Sequence, residues 1–465
     1  MNLNSKLELK NAFAGVYAGK RVLVTGHTGF KGSWLCEWLL ALGAEVTGFA
    51  LPPPTVPSLF DQLGLASRLR HVIGDVRDLA AVRQVVEQTK PDFVFHLAAQ
   101  PLVRLSYEQP VETYATNVMG TVNVLEALRA YQNEFKNDSS SSRPVTGSEP
   151  GTGDSVHGSS SSSGPIFEPG TGTGNLNSLG GLPRSCVAVM VTTDKCYENK
   201  EWVHSYREED PMGGYDPYSS SKGAAELVIS AYRRSFFSSW TSNLDLDSER
   251  VRVLVASARA GNVIGGGDWA LDRIVPDCIR SLQRGEAIPV RNKVATRPWQ
   301  HVLEPLSGYL WLGASLAKEV QVGSPSPSRT LQSPGSQQEK ALDLDLRPGR
   351  LQALCSAFNF GPSLSSNRTV AELVQEILKH LPGKWDDKSD PKAVHEAKLL
   401  NLATDKAHHF IGWSPAWSFS ETVRETVEWY RNAEGVGVDF RALTLGQIAA
   451  YTASARATSV AWAAE

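Results

Sequence analysis

The chain has 465 residues, with 46 basic and 49 acidic side chains and a formal charge of −3. Without a basic block, nucleic acid is excluded as the main ligand, and no apolar run reaches the ~18–20 residues that span a bilayer. Its five cysteines (Cys36, Cys186, Cys196, Cys278, Cys355) are dispersed and odd in number, with no C-x-x-C pair. That pattern argues for a reducing compartment and against a metal site.

Residues 1–19 contain Glu8 and lack an apolar secretory core, so export is not expected and a cytoplasmic location is. Arg21–Thr25 reads as a buried strand. Trp34, Leu35, Trp38, Leu39 and Leu42 then recur at helical spacing until Gly43 stops the helix. Glu45–Phe49, Val72–Gly74, Phe93–Leu97 and Val187–Thr192 read as further strands, with a helix from about Val111 to Ala130, and Val251–Val255 continues the rhythm. Such alternation predicts an α/β fold with a doubly wound, parallel Rossmann-type sheet.

Residues 133–184 and 322–346 are rich in Ser, Gly and Pro and read as disordered insertions, which leaves roughly 390 residues to fold. The expected division is an extension over 1–19, a dinucleotide-binding domain over 20–260, and a smaller mixed C-terminal substrate-binding region over 261–451. In that last region Thr369-Val-Ala-Glu372 and Ser418-Phe-Ser-Glu421 are capping boxes that open helices. Residues 452–465 form an Ala- and Ser-rich tail to which the sequence assigns no role.

Gly26-x-x-Gly29-x-x-Gly32 lies between a predicted strand and an amphipathic helix, where backbone N–H groups can approach a pyrophosphate. His27 and Phe30 belong to the same turn. An acidic residue usually follows by ~20 positions to bind the adenosine ribose, yet none stands between Glu45 and Asp61. Arg68 or Arg70 could instead approach a 2′-phosphate. Asp75, with Val76, suits the adenine. Ala98 and Ala99 end the fourth strand with small side chains, as close passage of a dinucleotide requires; His96 beside them reads as structural.

Tyr218-Ser-Ser-Ser-Lys222 places a phenol and an ammonium one helical turn apart on one face. A nearby cation favours the phenolate, so Tyr218 is expected to take a proton near neutral pH. Upstream, Thr193-Asp194-Lys195 closes a strand. Ordered behind the glycine turn, these segments point to redox chemistry on a sugar.

At these residues the chain resembles the extended short-chain dehydrogenase/reductases and, more narrowly, the CDP-glucose 4,6-dehydratase family. The likeness runs from about Lys20 to Tyr451 outside the insertions, and longer segments carry it: Gly26–Gly32, Ala50–Phe60, His96–Arg104, Thr193–Asn199, Arg259–Trp269 and Arg297–Val302. It implies bound NAD and conversion of CDP-D-glucose to CDP-4-dehydro-6-deoxy-D-glucose, by oxidation at C4, loss of water across C5 and C6, and return of hydride to C6. In the implied roles Tyr218 is the base, Lys222 holds the phenolate and the nicotinamide ribose, and Thr193 hydrogen-bonds the same oxygen. Asp194 is the acid for the departing hydroxyl. Lys195 is either the C5 base or a group that positions Asp194, and both readings stay open. Asn117 is expected to brace the active-site strand. Gln100, Asn262, Arg273 and Arg297 are expected at the substrate, Arg297 on its diphosphate, while Arg104 and Trp269 either touch the substrate or pack. The superfamily implies a homodimer or a dimer of dimers. A sugar-nucleotide epimerase and a non-catalytic dinucleotide-binding protein are the competing classes; the first would not need Asp194-Lys195, and the second commonly lacks the Tyr/Lys pair.

Overall fold

The computed structural model describes residues 9–138, 184–238, 251–322, 349–389 and 399–464. Seven parallel strands form the central sheet: β1 (Arg21–Thr25), β2 (Glu45–Ala50), β3 (Arg70–Ile73), β4 (Phe93–His96), β5 (Ser185–Val191), β6 (Arg252–Arg259) and β7 (Ala357–Asn359). Their spatial order is β7-β6-β5-β4-β1-β2-β3. The order reverses between β4 and β1, so the carboxyl ends of these strands border the crevice in which such sheets bind ligands.

Both faces of the sheet are covered, which is why the strands are apolar throughout rather than alternating with polar residues. Val22 and Val24 of β1 join one core with Trp34, Leu35 and Trp38 of helix α1 (Phe30–Ala41). Leu23 faces the other core, against α2 (Leu79–Thr89) and α3 (Gly120–Asp138). The same alternation repeats in β5, where Val187 and Val189 lie on one side and Ala188 and Met190 on the other. Helix α4 (Pro217–Phe236) is capped by Asp216, whose side chain accepts from the Ser219 N–H, and it carries Tyr218 and Lys222 in its first two turns.

Three points differ from expectation. The helix foreseen over 111–130 is a short helix, Pro110–Tyr114, then a π-helical turn, Ala115–Met119, then α3. The boundary foreseen at residue 260 is crossed by the chain: β7 comes from beyond it, and helix α5 (Leu303–Val322) packs on β5. Residues past Tyr451 continue a helix, Phe440–Ala457, and Trp462 is fully buried, stacked on Phe13 at 4.9 Å and on Tyr451 at 5.6 Å. The two ends of the described chain therefore close one aromatic core. Of the stretches expected to be disordered insertions, 139–183 and 323–346 lie outside the described residues, whereas 133–138 continue helix α3.

Both capping boxes are formed, opening Val370–His380 and Phe419–Asn432. Beyond β6, three small two-stranded sheets pair Val263–Ile264 with Gln300–His301, Thr296–Pro298 with Asn367–Thr369, and Ile288–Val290 with Trp385–Asp387. They are a mixture of parallel and antiparallel pairs, as the mixed C-terminal region was expected to be.

Candidate active site

Four strand ends converge on one cleft. After β1 the chain turns through Gly26 at φ 75°, and a Cβ there would stand 2.7 Å from the Ala98 backbone nitrogen. The turn after β1 is thus pressed against the turn after β4. Helix α1 starts at Gly29 with no side-chain cap and no acidic residue in its first turn, so its N-terminal N–H groups and positive dipole end remain for an anion. This cradle fits the pyrophosphate of a dinucleotide. Val76 is buried, and Asp75 accepts from both the backbone and the guanidinium of Arg77, which hold its carboxyl below the usual carboxylate range.

The alternative role given to Arg68 and Arg70 is corrected. Arg68 makes two bonds to the fully buried Glu37 carboxylate, at 2.5 and 2.9 Å, and Arg70 donates to Gln88. Both guanidinium groups have protein partners: an uncompensated carboxylate inside α1 needs Arg68. Neither is directed at a 2′-phosphate.

His96 is buried between the Thr25 and Thr121 hydroxyls, at 2.8 and 3.2 Å, and burial lowers it to about 3, so it is a structural residue. Asn117, on the π-helical turn, donates to the Gln100 carbonyl at 3.1 Å and to the Ser221 hydroxyl at 2.9 Å. It ties the loop carrying Ala98, Ala99 and Gln100 to the Tyr218–Lys222 segment of α4. The Gln100 side chain is held by Leu102 and Thr113.

Asp194 is the buried centre of the site. Its carboxylate accepts from the Thr193 hydroxyl at 2.9 Å and from the Asn262 amide at 3.3 Å. Asn262 sits at φ 29°, a conformation Asn tolerates better than most residues. A Cβ at Gly261 would overlap the Asp194 carboxylate, so this position has to be glycine for Asp194 to occupy its place. Tyr218 is buried, and the Thr193 hydroxyl also bonds its oxygen. Lys195 extends its ammonium along the Tyr218 ring, 6.0 Å from the centroid.

The near-neutral phenolate expected from the Tyr/Lys spacing is not what the protein alone provides. Burial pushes Tyr218 well above its ordinary value; the Thr193 bond and the positive charge of Arg273 only partly offset it, and Asp194 adds to it. Desolvation outweighs the charges because the phenol is enclosed. Lys222, also buried, is lowered to about 8 by burial, opposed by Glu226.

Two groups that sequence reasoning missed stand in the cleft. Lys31, inside the glycine turn, is lowered to about 8 by burial and by the charges of Arg273 and Lys222, while Asp194 opposes the shift. Its ammonium is 3.5 Å from the hydroxyl of Tyr309 on α5, a phenol raised by burial and by Asp194. A lysine where a buried helix turn usually carries an apolar side chain was the signal for it.

Among the residues expected at the substrate, Arg273 reaches the centre electrostatically, acting on Tyr218 while paired with Asp268 at 2.7 Å. Asn262 is at Asp194. Arg297 is buried on the strand Thr296–Pro298 and donates to its neighbour's carbonyl at 2.9 Å. Arg104 is exposed and pairs with Asp272 at 3.4 Å. Trp269 packs edge-on against Tyr430 and donates to Gln62 at 3.0 Å, which is the packing alternative. Cys196 is buried among Tyr197, Tyr206, Leu400 and Leu402.

The family model for GDP-mannose 4,6 dehydratase matches residues 23–150. CDP-glucose 4,6-dehydratase of Salmonella typhimurium is 41% identical over 420 residues, which cover 89% of this chain and 91% of that protein. A probable dTDP-glucose 4,6-dehydratase of Sinorhizobium fredii is 24% identical over 88% of this chain and 92% of its own length. Among solved structures, dTDP-glucose 4,6-dehydratase DesIV of Streptomyces venezuelae superposes with a TM-score of 0.57 at 21% identity, covering 88% of this chain and 97% of that one. The epimerase Mth375 of Methanothermobacter thermautotrophicus gives 0.59 at 18% identity, covering 92% and 96%; these two likenesses establish the fold. With the sheet, the cofactor turn, the buried Asp194 and a relative of this identity along nearly the whole length, the chain belongs to the CDP-glucose 4,6-dehydratase family.

Proposed function

We propose that this protein is an NAD-dependent hydro-lyase that converts CDP-D-glucose to CDP-4-dehydro-6-deoxy-D-glucose and water. The observation that carries the reading is the buried Asp194, held by Thr193 and Asn262 beside Tyr218. An epimerase needs a base at C4 but no acid for a departing hydroxyl, so this carboxyl favours the dehydratase. When bound, NAD supplies the acceptor of hydride from C4 and its donor to C6.

Tyr218 acts as the phenolate, with the Thr193 hydroxyl beside its oxygen, and becomes the neutral phenol as it takes the 4-hydroxyl proton. Lys222 stabilises the same anion by its charge. Once C4 is a ketone, the C5 proton is acidic, and Asp194, entering this step as the neutral carboxylic acid, protonates the 6-hydroxyl as it leaves as water. Lys195, beside the Tyr218 ring, takes the C5 proton as its neutral amine and returns it to C5 when hydride reaches C6, or it orients Asp194. Gly26, His27, Gly29, Phe30, Gly32, Asp75, Val76, Ala98, Ala99 and Asn117 form or brace the dinucleotide cradle. Arg273, Asn262 and Arg297 meet the substrate, with Gln100 and Arg104 at its rim.

A homodimer or dimer of dimers and a cytoplasmic location complete the reading. Support comes from exposed Tyr107, Val111, Tyr114, Met119 and Leu227, and from cysteines that are all free. Among the described residues no helix is long and apolar enough to cross a membrane. Incubation with CDP-, UDP- and dTDP-glucose, with products identified by mass, tests the assignment. Loss of one water from CDP-glucose alone supports it, and an isomer of unchanged mass overturns it.

A further inference from the structure

We propose that the buried Glu226–Arg259 pair positions Lys222 and Asp194, locking the catalytic helix to the carboxyl ends of β5 and β6. The inference rests on the reading above for what those two residues do.

Glu226 follows Lys222 by four residues and so lies one turn along the same face of α4. It is 3% exposed, and three donors converge on it: the Thr192 hydroxyl at 2.5 Å, the Ser257 hydroxyl at 2.9 Å and the Arg259 guanidinium at 2.8 Å. Thr192 immediately precedes Thr193 and Asp194. Ser257 and Arg259 are on β6, which runs directly into Gly261 and Asn262, the groups that house and hold Asp194. Arg259 in turn donates to the Tyr197 hydroxyl at 2.7 Å and the Glu208 carbonyl at 2.9 Å, fixing the segment after Lys195. One carboxylate thus ties together the three pieces of chain that carry the base, the acid and the residue holding the acid.

A buried ion pair is a costly way to gain stability, since apolar residues of similar volume often do as well or better. What apolar residues could not supply is negative charge beside Lys222. The charged and titratable groups acting on that ammonium are Glu226 on its own helix, Lys31 from α1, His96 from β4 and the Cys196 thiol. Burial holds His96 and Cys196 neutral, and Lys31 is a cation. Glu226 is therefore the anion that keeps Lys222 charged against its burial, and Arg259 keeps Glu226 ionised and in place.

The test is Glu226→Gln, which keeps the shape and removes the charge, beside Glu226→Asp and the double variant Glu226→Gln/Arg259→Met, whose neutral pair keeps the core folded if the single variant does not. The first readout is the titration of Lys222 by NMR in protein with ¹⁵N-labelled lysine side chains, and the second is the pH profile of turnover. Loss of the Glu226 charge should move the Lys222 midpoint down by at least one pH unit and carry the alkaline limb of kcat with it. At neutral pH kcat should fall at least about two-fold, because a midpoint of about 7 leaves half of Lys222 uncharged, with partial recovery in Glu226→Asp. An unchanged Lys222 midpoint in a folded variant overturns the proposal. If wild-type protein fails to dehydrate CDP-glucose, the functional reading fails, while the lysine titration still decides this one.

Discussion

Replacing Gly261 by alanine tests the geometry of the acid without replacing a catalytic side chain. The new Cβ would overlap Asp194 Cγ and Oδ2 and stand 2.8 Å from Oδ1. Ordinary contact needs ~3.5 Å, so the carboxylate must move by about 1 Å or more. It cannot do so freely, because Thr193 and Asn262 hold its two oxygens and its own backbone N–H bonds Ala260 at 3.4 Å. A displacement of this size costs on the order of 100-fold in a step that depends on alignment, about 2.7 kcal/mol of barrier. The loss should fall on water elimination rather than on oxidation at C4, since the three atoms nearest the methyl all belong to the Asp194 carboxylate. Single-turnover mixing with CDP-glucose, following nicotinamide absorbance, should show prompt oxidation and then a reduced state that persists about 100 times longer than in wild type. Elimination at the wild-type rate in a normally folded Gly261→Ala protein would remove Asp194 from the acid role.

Tyr218→Phe should abolish turnover while NAD affinity, measured by calorimetry, stays within a few-fold; substantial residual activity would discard Tyr218 as the base. Arg68→Ala strips the buried Glu37 of its principal partner, with Arg441 at 3.4 Å remaining, and should cost roughly 3–5 kcal/mol in chemical denaturation. It should leave the preference for NAD over NADP unchanged, whereas a switch in preference would restore the phosphate role rejected above. Glu304 is buried beneath the C-terminal helix and accepts from Tyr451 at 2.7 Å and from the Trp417 N–H at 2.7 Å, and burial raises it to about 7. Its folded value lies above its unfolded one, so its stabilising contribution is full below about pH 4.5 and is lost as pH rises through 7, on the order of 3 kcal/mol. Glu304→Gln should flatten that part of the Tm-against-pH curve between pH 5 and pH 8, and an equally steep curve would place the effect elsewhere.

The repeating alternation of apolar strand and amphipathic helix made the parallel sheet legible, because strands buried on both faces leave a continuous apolar run. Both capping boxes were equally readable, being local patterns satisfied within one turn. What escaped were features set by tertiary contact. Nothing local in Ala357–Asn359 distinguishes a seventh strand from a loop, since its partner β6 lies about a hundred residues earlier. Trp462 gained its role only through Phe13 at the other end of the described chain. At the site, the glycine turn, Tyr218 and Lys222 follow from spacing and Asp194 from the family resemblance, and the structure brings them to one cleft. The ionisation of Tyr218 did not follow, because spacing reports a neighbouring charge but not the desolvation that opposes it. Lys31 was hidden for a related reason: its position in the cofactor turn drew attention to the backbone, while its ammonium points toward Tyr309.

The central claim is that a single cofactor molecule removes hydrogen from C4 of the sugar and delivers it to C6, with Tyr218 and Asp194 moving the protons. CDP-glucose carrying deuterium at C4, converted in ordinary water, tests this most directly. The account predicts product with the deuterium in its C6 methyl group, read by NMR and mass spectrometry. Deuterium retained at C4, or a C6 methyl group that carries solvent hydrogen alone, would contradict it.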